Sequence, residues 1–368
     1  MSIFFIKHNV TTDFYIQYSA KTEKVFVFHQ KRSLTPVPEG VDKIDIVYKP
    51  HFVGRIFFLL NFDRDLPQYI SKLSSELRYR LKEDSSVVTF DFYDFIHSQL
   101  IRFKKKNPNT KLYVWSETRQ WPSFWLSRWV MYGFWWYFKK NIQYVEKVFV
   151  FSEEGERFFR KNAPEIAVEI MPAPIDIGLF YPEANRLYMP EQKLRIIMNA
   201  RYIQLKEHRT FFDSLLLLKK RQVPFSVSLI GRGGHLQSEL EEYAQELGIN
   251  ENISWLNPVP IEELREIYNA HDVLVLASNR EAIGMVVPEA MACGLATVTS
   301  QAVGANTYVE EEKTGLIFET GNAGALADAL EKLSEKGLAE SYGKAGARVI
   351  REKYSVDVLG RKLLTALE

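Results

Sequence analysis

Val273-Leu-Val-Leu-Ala-Ser-Asn-Arg-Glu-Ala-Ile-Gly-Met-Val-Val-Pro-Glu-Ala-Met-Ala-Cys-Gly-Leu-Ala-Thr-Val-Thr-Ser300 contains a complete strand–turn–helix–strand unit. The run Val273–Leu276 is apolar without alternation, as expected of a parallel strand covered on both faces. Gly284 marks a turn that needs a positive φ or a close approach of backbone and ligand. Pro288 suits the first turn of a helix, whose free N–H groups favour an anion. Thr297–Ser300 reads as the next strand. Glu281 and Glu289 bracket the turn with seven residues between them. Two carboxylates beside an anion site conflict unless the ligand also offers hydroxyls.

The same alternation runs through all 368 residues. Strands are expected at Ile3–Ile6, Val25–His29, Lys43–Val47, Ser86–Phe90, Leu112–Trp115 and Lys147–Phe151. In the second half they are expected at Arg195–Asn199, Ser226–Ile230, Ile253–Leu256, Val273–Leu276, Thr297–Ser300 and Gly315–Phe318. Helical periods such as Gln237–Leu247 and Ala325–Leu333 fall between them. This pattern predicts two α/β doubly wound parallel sheets. Pro172, Pro174, Pro182 and Pro190 crowd one short stretch and read as a linker. Residues 1–190 carry 27 Lys+Arg against 21 Asp+Glu, and residues 191–368 carry 20 against 25. The charge changes sign near that linker, so two units with different partners are expected. The boundaries read as 1–172, a linker at 173–189, and 190–352, with 355–368 packing back on the first domain. The net charge of +1 gives no basic field for nucleic acid. Cys293 is the only cysteine, which excludes an intrachain disulfide and fits a reducing compartment. The first residues lack the charged-then-apolar pattern of a secretory leader.

A nucleotide-diphospho sugar satisfies the first stretch: diphosphate for the amides, hydroxyls for the carboxylates. Glu281…Glu289 followed by Ala-Met-Ala-Cys-Gly is similar to the E-x7-E signature of family-4 retaining glycosyltransferases of the GT-B fold. Arg201 and Lys206, in Asn199-Ala-Arg-Tyr-Ile-Gln-Leu-Lys, resemble that family's Gly-Arg-x4-Lys donor-phosphate motif. Gly231-Arg-Gly-Gly-His resembles its Gly-x-Gly turn. Tyr268-Asn-Ala-His-Asp272 resembles its aspartate-then-strand element. Pro172-Ala-Pro-Ile-Asp-Ile-Gly-Leu-Phe-Tyr-Pro182 resembles its interdomain link. The likeness is dense over 145–320 and thin before it.

The resemblance implies two Rossmann-like domains facing across a cleft. It implies donor binding in the second domain and acceptor binding in the first. Arg201 and Lys206 would stabilise the charge developing on the leaving diphosphate, where fixed cations act most strongly. Glu281 would hold the donor sugar and Glu289 the ribose. Ile283, Gly284, Met285, Val286 and Gly231 would line the donor pocket. Transfer would retain anomeric configuration without a metal or other cofactor, from a UDP- or GDP-type donor. Asp63-Arg-Asp65 has the spacing of metal-dependent transferases, but its setting between Asn61 and Pro67 reads as a capped turn. Leu236 stands where a dinucleotide fingerprint needs glycine, which disfavours an oxidoreductase. The histidines show no zinc-ligand spacing.

The first half departs from the family. The chain reads His8-Asn-Val-Thr where a Gly-Gly turn is usual, and Ser116-Glu-Thr-Arg where a histidine is common. His8, Glu117 and Arg119 are the acceptor-side candidates; a plain Glu117–Arg119 loop pair is the alternative. Six of the seven tryptophans lie between Trp115 and Trp136. The segment 121–138, followed by Lys139 and Lys140, is apolar almost all round. Three readings stay open: packed core or homodimer contact, attachment to an anionic membrane interface through 121–140, or a membrane span. The acceptor is expected to be a glycan or lipid-linked, and the protein cytoplasmic, peripheral on the inner membrane face. A non-catalytic paralogue acting as a scaffold subunit is the rival reading.

Overall fold

Alternate residues of the apolar runs are buried on opposite faces of their sheets, which is why those runs carry no polar period. Ile196 and Met198 join one core cluster with Val273 and Val275, while Ile197, Leu274 and Leu276 join another. The computed structural model describes residues 2–6, 15–16, 18–21, 23–30, 41–46, 85–90, 92, 95–118, 125–231 and 236–368. The chain divides into two units, Met1–Pro174 with Leu359–Glu368, and Ile175–Val358.

The first unit contains β1 (Ser2–Ile6), β2 (Lys24–Gln30), β3 (Asp42–Ile46), β4 (Ser85–Phe90), β5 (Lys111–Ser116), β6 (Lys147–Val150) and β7 (Val168–Ile170). They form one sheet in the order β3-β2-β1-β4-β5-β6-β7, every neighbouring pair parallel. The register aligns Val87 of β4 with Leu112 of β5, and Val114 of β5 with Val148 of β6. These side chains share a cluster with Met131, Trp135 and Phe138 of the helix Trp125–Lys140 and with Phe158 and Phe159 of the helix Glu153–Asn162. On the opposite face Trp115 is fully buried, packed by Tyr15 at 4.9 Å and Phe149 at 5.4 Å. The end of the helix Val356–Leu367 is tied to this sheet: Tyr113 donates from its hydroxyl to the Leu367 carbonyl at 3.1 Å and Ser86 at 3.3 Å.

The second unit holds β8 (Leu194–Asn199), β9 (Phe225–Ile230), β10 (Ile253–Leu256), β11 (Val273–Leu276), β12 (Ala296–Ser300) and β13 (Gly315–Phe318). The order is β10-β9-β8-β11-β12-β13, again parallel throughout. Both sheets are therefore doubly wound, as the sequence predicts. β7 was not anticipated. Within the proline-rich stretch, Ile175 and Phe180 are buried in a cluster of the second unit.

Candidate functional site

In the second sheet the chain winds outward from β8 to β10 and then returns to β11 on the other side of β8. Doubly wound sheets bind ligands at the carboxyl ends of their strands beside such a reversal. The segments leaving β8 and β11 flank that point, and they carry Arg201, Lys206 and Glu281. Arg201 is exposed. Lys206 ends the 3-10 turn Gln204–Lys206, whose amide donates to the Ile203 carbonyl at 3.0 Å. Glu207 follows in the left-handed region at φ 54 and re-aims the chain into the helix His208–Lys220. Its carboxylate accepts from Asn279 Nδ2 at 2.7 Å and Thr210 Oγ1 at 2.8 Å, and the Asn279 amide donates to the Leu205 carbonyl at 3.0 Å. Neither Glu207 nor Asn279 was singled out from sequence, since their contact spans the two loops.

Lys206 donates from Nζ to Glu281 Oε2, with the two side chains only 15% and 21% exposed. The structure thus brings together the β8 cation and the first carboxylate of the E-x7-E pair. The Glu281 backbone is clipped on both sides: its amide donates to the Ala302 carbonyl at 3.2 Å, and its carbonyl accepts from Gly304 at 2.9 Å. Ile283, Gly284, Met285 and Val286 follow, each half-buried, and lead into the helix Val286–Ala292. Gly284 sits at φ +72, and a Cβ there would lie 3.0 Å from Leu276 Cδ2 and 3.2 Å from the Ala305 Cβ. Gly231, at the end of β9, is buried against Tyr202, whose ring occupies the space of any added Cβ.

Glu289 lies in the first turn of that helix, and burial pushes its carboxyl up to about 7. The hydroxyl of the fully buried Tyr268 donates to Glu289 Oε2 at 3.4 Å and accepts from Asn199 Nδ2 at 3.2 Å. Asn199 at the end of β8 and Tyr268 in the helix Ile261–Asn269 therefore orient Glu289. Sequence reading placed both inside motifs without assigning them this role; a polar residue ending an apolar strand was the available signal. Nearby Cys293 is buried and its thiol is pushed up to about 12 by burial, so it is core. His208 is pushed down to about 4, first by burial and then by Lys206, and is neutral near pH 7. A shielded ammonium, an exposed guanidinium and two carboxylates beyond the carboxyl ends of β8 and β11 suit a ligand with both phosphates and hydroxyls.

Asp272 is a joint rather than a ligand group. Its buried carboxylate accepts from Arg195 Nε at 2.9 Å, Arg195 Nη2 at 2.7 Å, and the amides of Arg195 and Met189 at 3.0 Å each. It fixes the start of β11 beside that of β8. On the first unit, Glu117 is exposed just beyond β5. His8, Arg119, Asp63 and Asp65 lie outside the described residues. Among the described residues, no three His, Cys, Asp or Glu side chains gather into a metal-binding group.

Residues 183–349 match the family model described as Glycosyl transferases group 1. The chain is 29% identical over 186 residues to the D-inositol 3-phosphate glycosyltransferase of Corynebacterium jeikeium (strain K411), covering 47% of this chain and 44% of that protein. It is 24% identical over 229 residues to the GDP-mannose-dependent alpha-(1-6)-phosphatidylinositol monomannoside mannosyltransferase of Mycobacterium tuberculosis, covering 58% and 59%. The chain thus spans about half the length of the curated relatives it matches. The solved structure of Anabaena Alr3699/HepE in complex with UDP superposes with a TM-score of 0.75 at 15% identity, covering 100% of this chain and 99% of that one. Over residues 183–349 the chain is similar to the group 1 glycosyl transferases, and its two parallel-sheet, Rossmann-like domains have the GT-B fold.

Proposed function

We propose that the second unit binds a nucleotide-diphospho sugar of UDP or GDP type and that the protein is a retaining, family-4-type glycosyltransferase. The acceptor is a hydroxyl of a glycan or lipid-linked molecule held by the first unit, with Glu117 on that side. The observation that carries this reading is the Lys206–Glu281 pair at the sheet reversal. It sets a cation for phosphate beside a carboxylate for sugar hydroxyls, and each group satisfies the other until a donor replaces both contacts. Glu289, held by Tyr268, takes the ribose hydroxyls.

In the transfer step the bond from the sugar C1 to the diphosphate oxygen breaks. The acceptor oxygen bonds to C1 on the same face, and its proton passes to the departing diphosphate. Lys206 and Arg201 stabilise the negative charge that grows on that leaving group, so the step needs neither a metal nor a separate protein base. One named relative is a phosphatidylinositol monomannoside mannosyltransferase, which supports a lipid-linked acceptor.

The test is turnover of UDP- and GDP-sugars followed by mass spectrometry. Arg201→Ala and Lys206→Ala are each expected to lose about 10²–10³ in rate, or about 3–4 kcal/mol of transition-state stabilisation. Near-normal turnover in either variant sinks the assignment of these two residues, and no turnover by the wild type favours a binding or scaffold role.

A further inference from the structure

The helix Trp125–Lys140 has two unlike faces. Met131, Trp135 and Phe138 are buried, with Phe92 5.0 Å from the Trp135 ring and 5.2 Å from that of Phe138. Trp129, Tyr132 and Trp136 are 68%, 43% and 64% exposed. Their spacing of three and four residues aligns them in one stripe along the helix. Trp129 and Tyr132 meet edge to face at 6.5 Å, and Lys140 lies 5.0 Å from the Trp136 ring centroid.

Every charge on this helix is positive. From residue 118 to residue 145 the sequence has no Asp or Glu. Arg128, Lys139 and Lys140 are exposed on this helix. Lys105 donates to Asn141 Oδ1 at 2.9 Å, so the helix Phe95–Lys106 brings Lys105 and Lys106, both exposed, to the same end. Among the described residues, two acids at this end are already bound, Glu146 by Lys104 at 2.9 Å and Glu165 by Lys139 at 3.5 Å.

From these placements we infer that the Trp129–Tyr132–Trp136 face is a docking surface for an anionic lipid bilayer. Rings with an apolar body and a polar edge settle at the headgroup boundary, and cations at one end of the stripe meet anionic headgroups. The occupant is a bilayer rather than a second copy because of area. Three rings at these exposures offer on the order of 400 Å², half of what each partner of a stable soluble dimer buries. The rings are presented from a helix whose other face is locked in the core, so docking orders little that was loose. The inference stands on this helix alone and does not require sugar transfer; for the proposed function it names where a lipid-linked acceptor is met.

The test is flotation of the full chain with vesicles of phosphatidylcholine alone and of phosphatidylcholine mixed with phosphatidylglycerol. Wild-type protein should float with the mixed vesicles at low salt, far less with the neutral ones, and come off as salt rises. Trp129→Ala with Trp136→Ala should weaken binding to mixed vesicles about tenfold or more at an unchanged melting temperature, because both rings are outside. Lys139→Glu with Lys140→Glu should abolish the preference for anionic vesicles. Unchanged flotation of the double tryptophan variant, or none by the wild type, overturns the inference. So does a wild-type dimer in analytical ultracentrifugation that the double variant dissociates, which assigns the face to self-association. Turnover of UDP- and GDP-sugars is read on the same samples: turnover without flotation defeats this inference alone, and flotation without turnover defeats only the proposed activity.

Discussion

Replacing Glu289 by Gln removes a charge that the fold resists and keeps the shape that the fold uses. Burial raises the Glu289 carboxyl from 4.5 to about 7, while its bond from Tyr268 pulls the other way. Below pH 4.5 the folded and unfolded chains both hold this proton, and the group contributes no pH dependence. Between pH 4.5 and about 7 the unfolded chain releases the proton and the folded chain keeps it, so rising pH favours unfolding. Above about 7 both are ionised and the penalty is constant. At about 1.4 kcal/mol per pH unit the full gap amounts to about 3 kcal/mol; partial access of water to the half-buried carboxyl makes about 1–3 kcal/mol the working range. Gln carries no charge and retains an acceptor for the Tyr268 hydroxyl. The variant should therefore gain on the wild type by that amount between pH 4.5 and pH 8, a melting-temperature gap opening by roughly 2–12 °C for a unit of this size. Calorimetric scans at four or five pH values measure it. A gap that stays flat, or closes as pH rises, refutes the desolvation argument. Under the proposed function, wild-type donor affinity should also rise through pH 7 as Glu289 ionises, and the variant's should not.

Asp272→Asn should cost about 3–5 kcal/mol in urea unfolding, because it leaves Arg195 facing a neutral amide where four donors met a buried carboxylate; a loss under 1 kcal/mol removes its role as a joint. Gly284→Ala should cost about 1–2 kcal/mol from the left-handed backbone alone, and its Cβ pushes on Leu276 and Ala305, so nucleotide binding by thermal shift should fall with it. Turnover should survive EDTA. If chelation abolishes activity and Mg²⁺ or Mn²⁺ restores it, charge stabilisation by Arg201 and Lys206 alone is the wrong account.

The fold was legible wherever burial on both faces wrote a strand as an unbroken apolar run. Val273–Leu276 shows why: consecutive residues face different clusters, so none can be polar. β7 escaped because it is three residues long, half-buried, and centred on Glu169, which pairs with Lys147 at 2.7 Å. Within the candidate site, Lys206, Glu281 and Glu289 were singled out because each lies in a local spacing, Arg201-x4-Lys206 or Glu281-x7-Glu289, although Lys206 and Glu281 meet across 75 positions. Tyr268, Asn199, Glu207 and Asn279 act across the fold; Glu207 meets a partner 72 positions away, and no local pattern encodes that. The tryptophan segment stayed open for another reason. Its apolar residues are split between core and surface, and an aromatic ring looks the same in sequence on either side.

The second unit is one unbroken segment, whereas the first takes its last piece, Leu359–Glu368, from beyond it. In chain topology the second unit is an insertion within the first. On a ribosome it can finish folding before the first has all its parts. Its own folding then does the first unit a service. Ile175 and Ser355 pair as a parallel bridge, with the Ile175 amide on the Tyr354 carbonyl at 2.9 Å and the Val356 amide on the Ile175 carbonyl at 3.2 Å. Once that bridge exists, the two exits of the insertion lie side by side, and the loop entropy of bringing residue 359 back toward residue 174 is already spent. The late helix then finds its place as a near neighbour rather than as the far end of a long loop, so the order of synthesis and the order of assembly do not conflict.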